Sequence, residues 1–210
     1  MRALVIEVFD LAPSLAAAAE VFAAAGVPFA LAGQLAIWVW APGSRQGFAK
    51  VVEFAVRAVD MPSIDVALVA AGYEVLPLSR GGAAIRVGAT RVNFIDRRVE
   101  FVALFTAAVD AAQRGSGTTN PDGRVFPVVP PDFLIAMKLA TGDPRDERDV
   151  ERLLDAGTDY DLARATVRTH LGPAVANRLD HIGARVGRAE AARYRPGVLA
   201  DSGVAISRPW

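Results

Sequence analysis

The sequence contains no cysteine and only two histidines, His170 and His181. Without cysteine the chain has no disulfide framework and no thiolate zinc site, and two histidines leave little for a histidine metal centre. Any metal site would therefore need carboxylates. The sequence also has no excess of positive or negative charge, because 23 lysines and arginines balance 23 aspartates and glutamates. No overall field therefore directs the chain to nucleic acid or to an anionic membrane.

A recognisable signal peptide or membrane span is missing as well. Glu7 and Asp10 lie where a signal peptide needs an apolar core. Residues 21–44 carry no charge and are long enough to cross a bilayer. However, this segment is rich in alanine and is interrupted by glycine, proline and glutamine, which favours a buried helix-strand-helix passage. We therefore predict a cytoplasmic protein without a membrane partner.

The chain has the composition of a globular protein, with 210 residues of which 52% are hydrophobic. Predicted helices and strands alternate in the first half, which indicates an α/β (α+β) fold with a mixed sheet flanked by helices. One of these helices is predicted to begin with Ser14 as its cap and to end at Gly26. A hairpin at 83–95 and a helix at about 99–112 are predicted further on.

The second half is predicted to be helical. The segment GSGTTNPDG, residues 115–123, concentrates turn-forming residues without a periodic apolar residue. We predict a boundary there, between an α/β domain at 1–114 and a helical C-terminal subdomain at 124–210. Pro131, Asp143-Pro144 and Gly172-Pro173 mark helix boundaries in the second part. The tail at 193–210 shows no strong period.

Glu53 is the unusual residue of the predicted strand AKVVEFAV, residues 49–56. Alternation along a strand places Glu53 on one face with Val51 and Ala55, among small apolar neighbours. A lone carboxylate there must pair, shift its pKa or bind a ligand. A closed pair with Arg45, Arg91 or another basic side chain would make Glu53 structural. A cleft shared with Gly33, Ser44 and Lys138 would make it the remnant of a site.

Two segments flank this strand and supply candidate anion-binding groups. A predicted strand runs into a helix at Gly33-Gln34, so backbone N–H groups at the helix N-terminus would face a ligand. The ordinary alternative is a tight turn between strand and helix. The following loop carries Ser44, Arg45 and Lys50, which would either hold phosphates or form a solvated turn.

A second group of candidates lies in the C-terminal part. Asp146 and Asp149 share a helical stripe with the aliphatic residues Val150 and Leu153, and acids on an apolar stripe face a cleft or a partner. Asp146 in the first helical turn also suits the helix dipole alone. Lys138 on the preceding helix would be a counter-charge joining the two helices or a contact to phosphate.

These segments together resemble the nucleotidyltransferase fold, and in particular the AbiEii-type toxin group. In that group a strand, a Gly-Gly-Gln/Ser turn and a buried helix precede a strand that bears Asp-x-Asp, and ALAGQLAIWVW followed by AKVVEFAV is similar to this order. In the second half, PPDFLIAMKLATGDPRDERDVERLL resembles the group's Lys-Leu helix and its Arg-x-Lys-Asp-x-x-Asp-Val segment. The resemblance covers about residues 27–157.

The resemblance implies roles for individual residues. Glu53 is expected to be the metal ligand, Lys138 to contact the triphosphate, and Asp146 and Asp149 to position the reactants. A further set is expected to bind the nucleotide: Gly33, Gln34, Ser44, Arg45 and Lys50. The implied cofactors are a nucleoside triphosphate and a weakly held Mg²⁺.

The sequence departs from the family at the metal ligands. Val51 occupies the position of the family's first aspartate, Glu53 that of the second, and Asn93 that of the third acid. Elsewhere, Ala32 replaces the first motif glycine, and Asp143 and Arg145 replace an arginine and a lysine. Valine offers no oxygen and asparagine is a neutral ligand, so positioning of two metal ions is expected to fail.

Three hypotheses follow from this pattern. The first is a catalytically impaired protein of the AbiEii-like group, whose cleft accepts a nucleotide or phosphate. The second is an active nucleotidyltransferase toxin that modifies RNA or a protein, which requires Asp96 or Glu100 to reach Glu53. The third is a non-catalytic partner in a defence or regulatory pair, for instance with an antitoxin-like protein.

Overall fold

The fold combines a five-stranded mixed sheet with helices on its faces and a run of helices at its C-terminal side. The computed structural model describes residues 11–42, 51–115, 118–119 and 124–188. The predicted α+β class, with a mixed sheet and C-terminal helices, is confirmed. The helices are α1 (Ala12–Ala25), α2 (Gly33–Trp40), α3 (Met61–Ala70), α4 (Val102–Arg114), α5 (Pro131–Thr141), α6 (Pro144–Asp155), α7 (Tyr160–Leu171) and α8 (Pro173–Arg185).

The strands of the main sheet follow the order β1, β2, β5, β4, β3. Their bounds are β1 (Phe29–Ala32), β2 (Val51–Val56), β3 (Leu76–Pro77), β4 (Ala83–Val87) and β5 (Thr90–Ile95). β2 and β5 are parallel, whereas the other neighbouring strands are antiparallel. A separate pair is formed by β6 (Thr118–Thr119) and β7 (Val125–Phe126). β6 lies in the segment predicted to be a loop.

The two faces of the sheet differ in polarity. One face carries Phe54 and Phe94, which are fully buried and contact the ring of Phe22 from α1 edge-on. The opposite face carries Val51 and Glu53 of β2 beside Arg91 and Asn93 of β5, all of them only partly buried. Alternating side-chain direction along each strand produces this division. Polar chemistry is therefore concentrated on the second face.

The segment after the predicted boundary joins the sheet directly. Leu31 N–H donates to the carbonyl of Pro127 (2.7 Å), and Val129 N–H donates to the carbonyl of Leu31 (3.0 Å). The indole Nε1 of Trp40 donates to the carbonyl of Val129 (2.8 Å). The buried apolar side chains form one cluster that includes residues from both sides of 115–123. One core therefore underlies both parts of the chain.

Caps and ion pairs hold the C-terminal helices. The Asp143 carboxylate accepts from Arg145 N–H (2.9 Å) at the start of α6, as its position before Pro144 predicts. Arg164 on α7 forms an ion pair with Asp180 on α8 (2.7 Å). Of these helices, α6 and α7 pack against α5, which carries Lys138, and α8 packs against α6 and α7. The arrangement fixes the position of α5 beside the sheet.

Two local predictions were wrong. Ser14 does not cap α1, because the helix already begins at Ala12 with Pro13 in its first turn, and the hydroxyl of Ser14 is buried without a partner. The helix predicted from about residue 99 begins at Val102, after Phe101 adopts a positive φ of 64°.

Other predictions fall on parts of the chain outside the described residues. These are the N-terminal residues 1–10, the loop with Ser44, Arg45 and Lys50, and the tail at 193–210. Within the described ranges, no helix has the length and apolar character needed to cross a membrane.

Candidate functional site

A cleft of about 200 Å³ opens on the polar side of the sheet, between the sheet and helices α5 and α6. Four of the predicted site residues line it: Gly33, Glu53, Lys138 and Asp146. They come from four different elements, and Glu53 and Lys138 are far apart in sequence. Apolar side chains from α4 and α5, including Phe105, Leu134 and Met137, form the rest of the wall together with Ile95.

The other predicted site residues have different positions. Asp149 does not line the cleft, but it forms an ion pair with Lys138, which does. Gln34 follows Gly33 in the first turn of α2, and its side chain is not part of the lining. Ser44, Arg45 and Lys50 lie outside the described residues.

Glu53 lies against the turn from β1 into α2. It pairs in register with Ala32 of β1 and with Asn93 of β5. Gly33 has a φ of 61°, and a Cβ added to it would lie 1.9 Å from Oε2 of Glu53. The carboxylate therefore occupies the space that any other residue at position 33 would fill. Among the described residues, the carboxylate of Glu53 forms no hydrogen bond or ion pair.

Lys138 is held by two aspartates from α6. Its Nζ donates to Oδ1 of Asp146 (2.9 Å) and lies 2.9 Å from Oδ2 of Asp149. Burial opposes the charged form of the amine, but the hydrogen bonds and negative charges of Asp149 and Asp146 outweigh it and raise the pKa of Lys138. Arg152 also donates to Asp149 (2.9 Å), and Thr141 Oγ1 lies 2.5 Å from Asp146 Oδ2. Lys138 therefore joins α5 to α6 as a fixed cation.

Arg97 is a cleft residue that sequence reasoning missed. It follows β5, lines the cleft and is half-buried. Its φ of 49° is in the left-handed region, which is uncommon for a residue other than glycine. Burial lowers the pKa of the Arg97 guanidinium, the positive charge of Arg80 acts in the same direction, and the negative charges of Glu53 and Glu100 oppose both. No pattern in the sequence marks this position.

The acids that the second hypothesis requires lie elsewhere. The Asp96 carboxylate is completely buried and accepts from the backbone N–H (3.0 Å) and Nε (2.8 Å) of Arg98. It lies beside Gly81, which lines a different cavity of about 380 Å³ near β3 and β4. Glu100 is exposed and does not line the cleft around Glu53. Neither side chain adds an oxygen to that cleft.

The positions of the other two family acids are filled by Val51 and Asn93. Val51 pairs in register with Arg91, whose Nε is buried without a hydrogen-bond partner. Asn93 lies beside Glu53, and its Oδ1 is also buried and unpartnered. Within the described part of the chain, no group of three or more histidine, aspartate or glutamate side chains is arranged to hold a metal ion.

These donors do not fit a Mg²⁺ site. Mg²⁺ favours carboxylate oxygens in near-octahedral geometry. The cleft offers the free carboxylate of Glu53, whereas Asp146 is already bound to Lys138 and Thr141. The positive charge of Arg97 in the same cleft opposes a bound cation, whereas the charge of Lys138 is matched by Asp146 and Asp149.

Comparison with protein-family models finds no match. Comparison with curated proteins also finds none. Among solved structures, the chain is similar to a solution structure of the antibiotic-resistance factor ANT(2'')-Ia, with 17% identity and a TM-score of 0.42 over 86% of this chain and 95% of that one. A crystal structure of ANT(2'')-Ia in complex with adenylyl-2''-tobramycin has 15% identity and a TM-score of 0.41 over 87% and 99%. At these values the likeness does not define a family or a function for this chain.

Proposed function

We propose that this chain is a nucleotidyltransferase-fold protein of the AbiEii-like group whose cleft binds a nucleotide but carries out little or no nucleotidyl transfer. The observation that carries the proposal is the meeting of Gly33, Glu53 and Lys138 around one cleft. These residues come from the two segments whose sequences resemble that group. Their convergence is what a shared nucleotide site requires.

The shape of the cleft supports nucleotide binding. Its walls combine apolar side chains with a few polar and charged groups, which is typical of a small-molecule site. The turn at Gly33 also brings the N-terminus of α2 to the cleft, beside Glu53. A ligand there would meet an apolar wall on one side and charged groups on the other.

The missing acids support impaired transfer. Phosphoryl-type transfer depends on metal ions that neutralise charge developing at the phosphate. Val51 and Asn93 supply no carboxylate, and Asp96 and Glu100 do not line the cleft. The loss of such groups commonly reduces rates by several orders of magnitude. Among the described residues, the active-toxin hypothesis therefore lacks the additional acids that it requires beside Glu53.

The test measures binding and transfer separately. Isothermal titration calorimetry of the full chain with ATP, GTP, CTP and UTP is expected to show binding of at least one. Incubation with the same nucleotides, radiolabelled at the α-phosphate, total RNA and either Mg²⁺ or Mn²⁺ is expected to leave both RNA and protein unlabelled. Glu53→Ala is the matched variant for the transfer assay.

Two results would contradict the proposal. Robust labelling that Glu53→Ala abolishes would establish an active nucleotidyltransferase. Failure of all four nucleotides to bind, together with co-purification of a second protein, would favour a non-catalytic interaction partner whose cleft has no ligand.

A further inference from the structure

The charges around Glu53 are arranged differently from those of a metal site. The carboxylates available to a ligand are reduced to Glu53, while Arg97 projects into the same cleft. Arg91 lies on the same face, in register with Val51. Positive side chains thus lie close to where a metal-binding site would need negative ones.

Lys138 is not free to hold a phosphate. Its ammonium group is matched by the carboxylates of Asp146 and Asp149, both at 2.9 Å. A phosphate would have to replace one of these contacts at a largely buried position, where the side chain of Lys138 is only 18% exposed. The amine of Lys138 therefore links α5 to α6. A different cation must bind an anion in the cleft.

Arg97 has the properties that this task requires. A guanidinium carries five N–H donors and binds phosphate oxygens in a bidentate manner. Among the described residues, the guanidinium of Arg97 forms no hydrogen bond or ion pair, although the residue is half-buried in the cleft. Its donors are therefore available to a ligand with several acceptor oxygens, and hydrogen bonds to a charged guanidinium are stronger than those between neutral groups.

The backbone of Arg97 holds the side chain in this place. Its φ of 49° turns the chain sharply just after β5, and such a conformation persists only where the surrounding structure imposes it. The turn directs Arg97 toward the cleft while its neighbour Arg98 binds the buried Asp96 on the other side. Adjacent arginines thus have separate roles.

We infer that the cleft binds the phosphate groups of its nucleotide without a divalent cation, with Arg97 supplying the positive charge that a metal ion would otherwise provide. This inference rests on the proposed function, because it specifies how the nucleotide is held. Arg91 lies on the same face of the sheet, in register with Val51, but does not line the cleft. A divalent cation beside Glu53 would be repelled by the positive charge of Arg97.

The experiment compares nucleotide binding with and without metal. Isothermal titration calorimetry uses ATP, GTP, CTP, UTP and inorganic tripolyphosphate, each in excess EDTA and in excess MgCl₂. Wild-type affinity in EDTA is expected to equal or exceed that in MgCl₂, because bound Mg²⁺ neutralises the phosphates that Arg97 recognises. Tripolyphosphate is expected to compete with the bound nucleotide.

Arg97→Asn tests the residue itself. Asparagine tolerates the left-handed conformation better than most residues, so the variant is expected to fold while losing the charge. Affinity in EDTA is expected to fall about ten- to one-hundredfold, as for loss of a charged hydrogen bond. Arg97→Lys retains charge and is expected to lose less. Arg168→Gln, which removes an exposed arginine on α7 remote from the cleft, is the matched control and is expected to bind as the wild type does.

The outcomes separate this inference from the proposed function. Binding that disappears in EDTA and returns with MgCl₂ would overturn the inference and leave nucleotide binding intact. Binding in EDTA that Arg97→Asn leaves unchanged, in a variant with wild-type circular dichroism, would overturn the role of Arg97. Absence of binding in both buffers would overturn the proposed function and the inference with it.

Discussion

At the scale of single residues, the contact between Gly33 and Glu53 decides the shape of the cleft. Gly33 meets two requirements at once, a φ of 61° and the absence of a Cβ where the Glu53 carboxylate lies. A positive φ costs other residues about 1 to 2 kcal/mol. The second requirement arises from a residue on another strand, so it belongs to the tertiary structure and not to the turn alone.

Gly33→Ala is therefore expected to destabilise the protein more than an alanine in an otherwise similar turn. Gly88→Ala is the matched control, because Gly88 has a φ of 59° and no atom within 4 Å of its added Cβ. We expect Gly88→Ala to cost about 1 to 2 kcal/mol and Gly33→Ala about 1 kcal/mol more in the free energy of unfolding, measured in urea.

A double-mutant cycle with Glu53→Ala isolates the steric clash between a Cβ at position 33 and the Glu53 carboxylate. Removing the carboxylate is expected to recover the additional cost of Gly33→Ala, and the coupling energy is expected to be about 1 kcal/mol. Additive effects of the two substitutions would show that the carboxylate does not occupy the space beside Gly33.

At this site, the sequence predicted some of the residues that line the cleft but not all of them. The strand alternation placed Glu53 among Val51 and Ala55, and the glycine after β1 marked the turn beside it. The sequence did not predict Arg97 as a cleft residue, because its position depends on a left-handed φ. Short-range sequence patterns do not indicate such a φ for arginine. Glu53 and Arg97 meet only because β2 and β5 are neighbours in the sheet.

At the scale of elements, the joint between α5 and α6 is the clearest electrostatic feature. It consists of Lys138 with its two partners Asp146 and Asp149. Arg152 on α6 forms a further ion pair with Asp149. The raised pKa of Lys138 means that the folded protein holds the amine proton more firmly than the unfolded chain does. The joint therefore contributes to stability in a pH-dependent way.

Lys138→Met is expected to lower the free energy of unfolding at neutral pH by about 2 kcal/mol or more, because two partly buried aspartates lose their partner. The contribution of Lys138 is fully present below pH 10.5, the ordinary value for lysine, and is lost as pH rises through the higher folded pKa. The stability difference between wild type and variant is therefore expected to shrink above pH 10.5 in urea unfolding experiments.

Arg178→Met provides the control for this measurement. It breaks the ion pair with Glu147 between α8 and α6, but arginine keeps its charge throughout this pH range and glutamate does not titrate in it. The difference between wild type and Arg178→Met is expected to stay constant where the Lys138→Met difference falls. Parallel curves for the two variants would contradict the assignment of the raised pKa to Lys138.

Element boundaries were predictable where proline, glycine or a capping acid marked them. Asp143-Pro144 and Gly142 define the gap between α5 and α6 in both sequence and structure. The start of α1 was misplaced because Ser14 has the properties of a cap, whereas Pro13 fits the first helical turn and allows an earlier start. Competing local signals of this kind are resolved by packing, which the sequence does not display.

At the scale of the whole molecule, the described residues share one hydrophobic core. Segment 127–129 forms hydrogen bonds with β1 on one side and receives Trp40 from α2 on the other. The C-terminal helices thus attach through backbone contacts as well as through apolar packing. Such an arrangement favours cooperative unfolding of the sheet and the helices together.

Unfolding in urea is therefore expected to give one transition, with the same midpoint by tryptophan fluorescence and by far-UV circular dichroism. Trp40→Phe removes the hydrogen bond to Val129 and is expected to lower the free energy of unfolding by about 1 kcal/mol in both signals. Two separate midpoints, or a shift in fluorescence without a shift in ellipticity, would show that sheet and helices unfold independently.

The two outer strands of the sheet also affect how copies of the protein meet in solution. β1 is covered on its outer side by the bridge between Leu31 and Val128. β3, at the opposite side, consists of two residues, and Pro77 has no N–H to offer a further strand. Neither border of the described sheet therefore presents a long row of free amide groups as a template for amyloid-like growth.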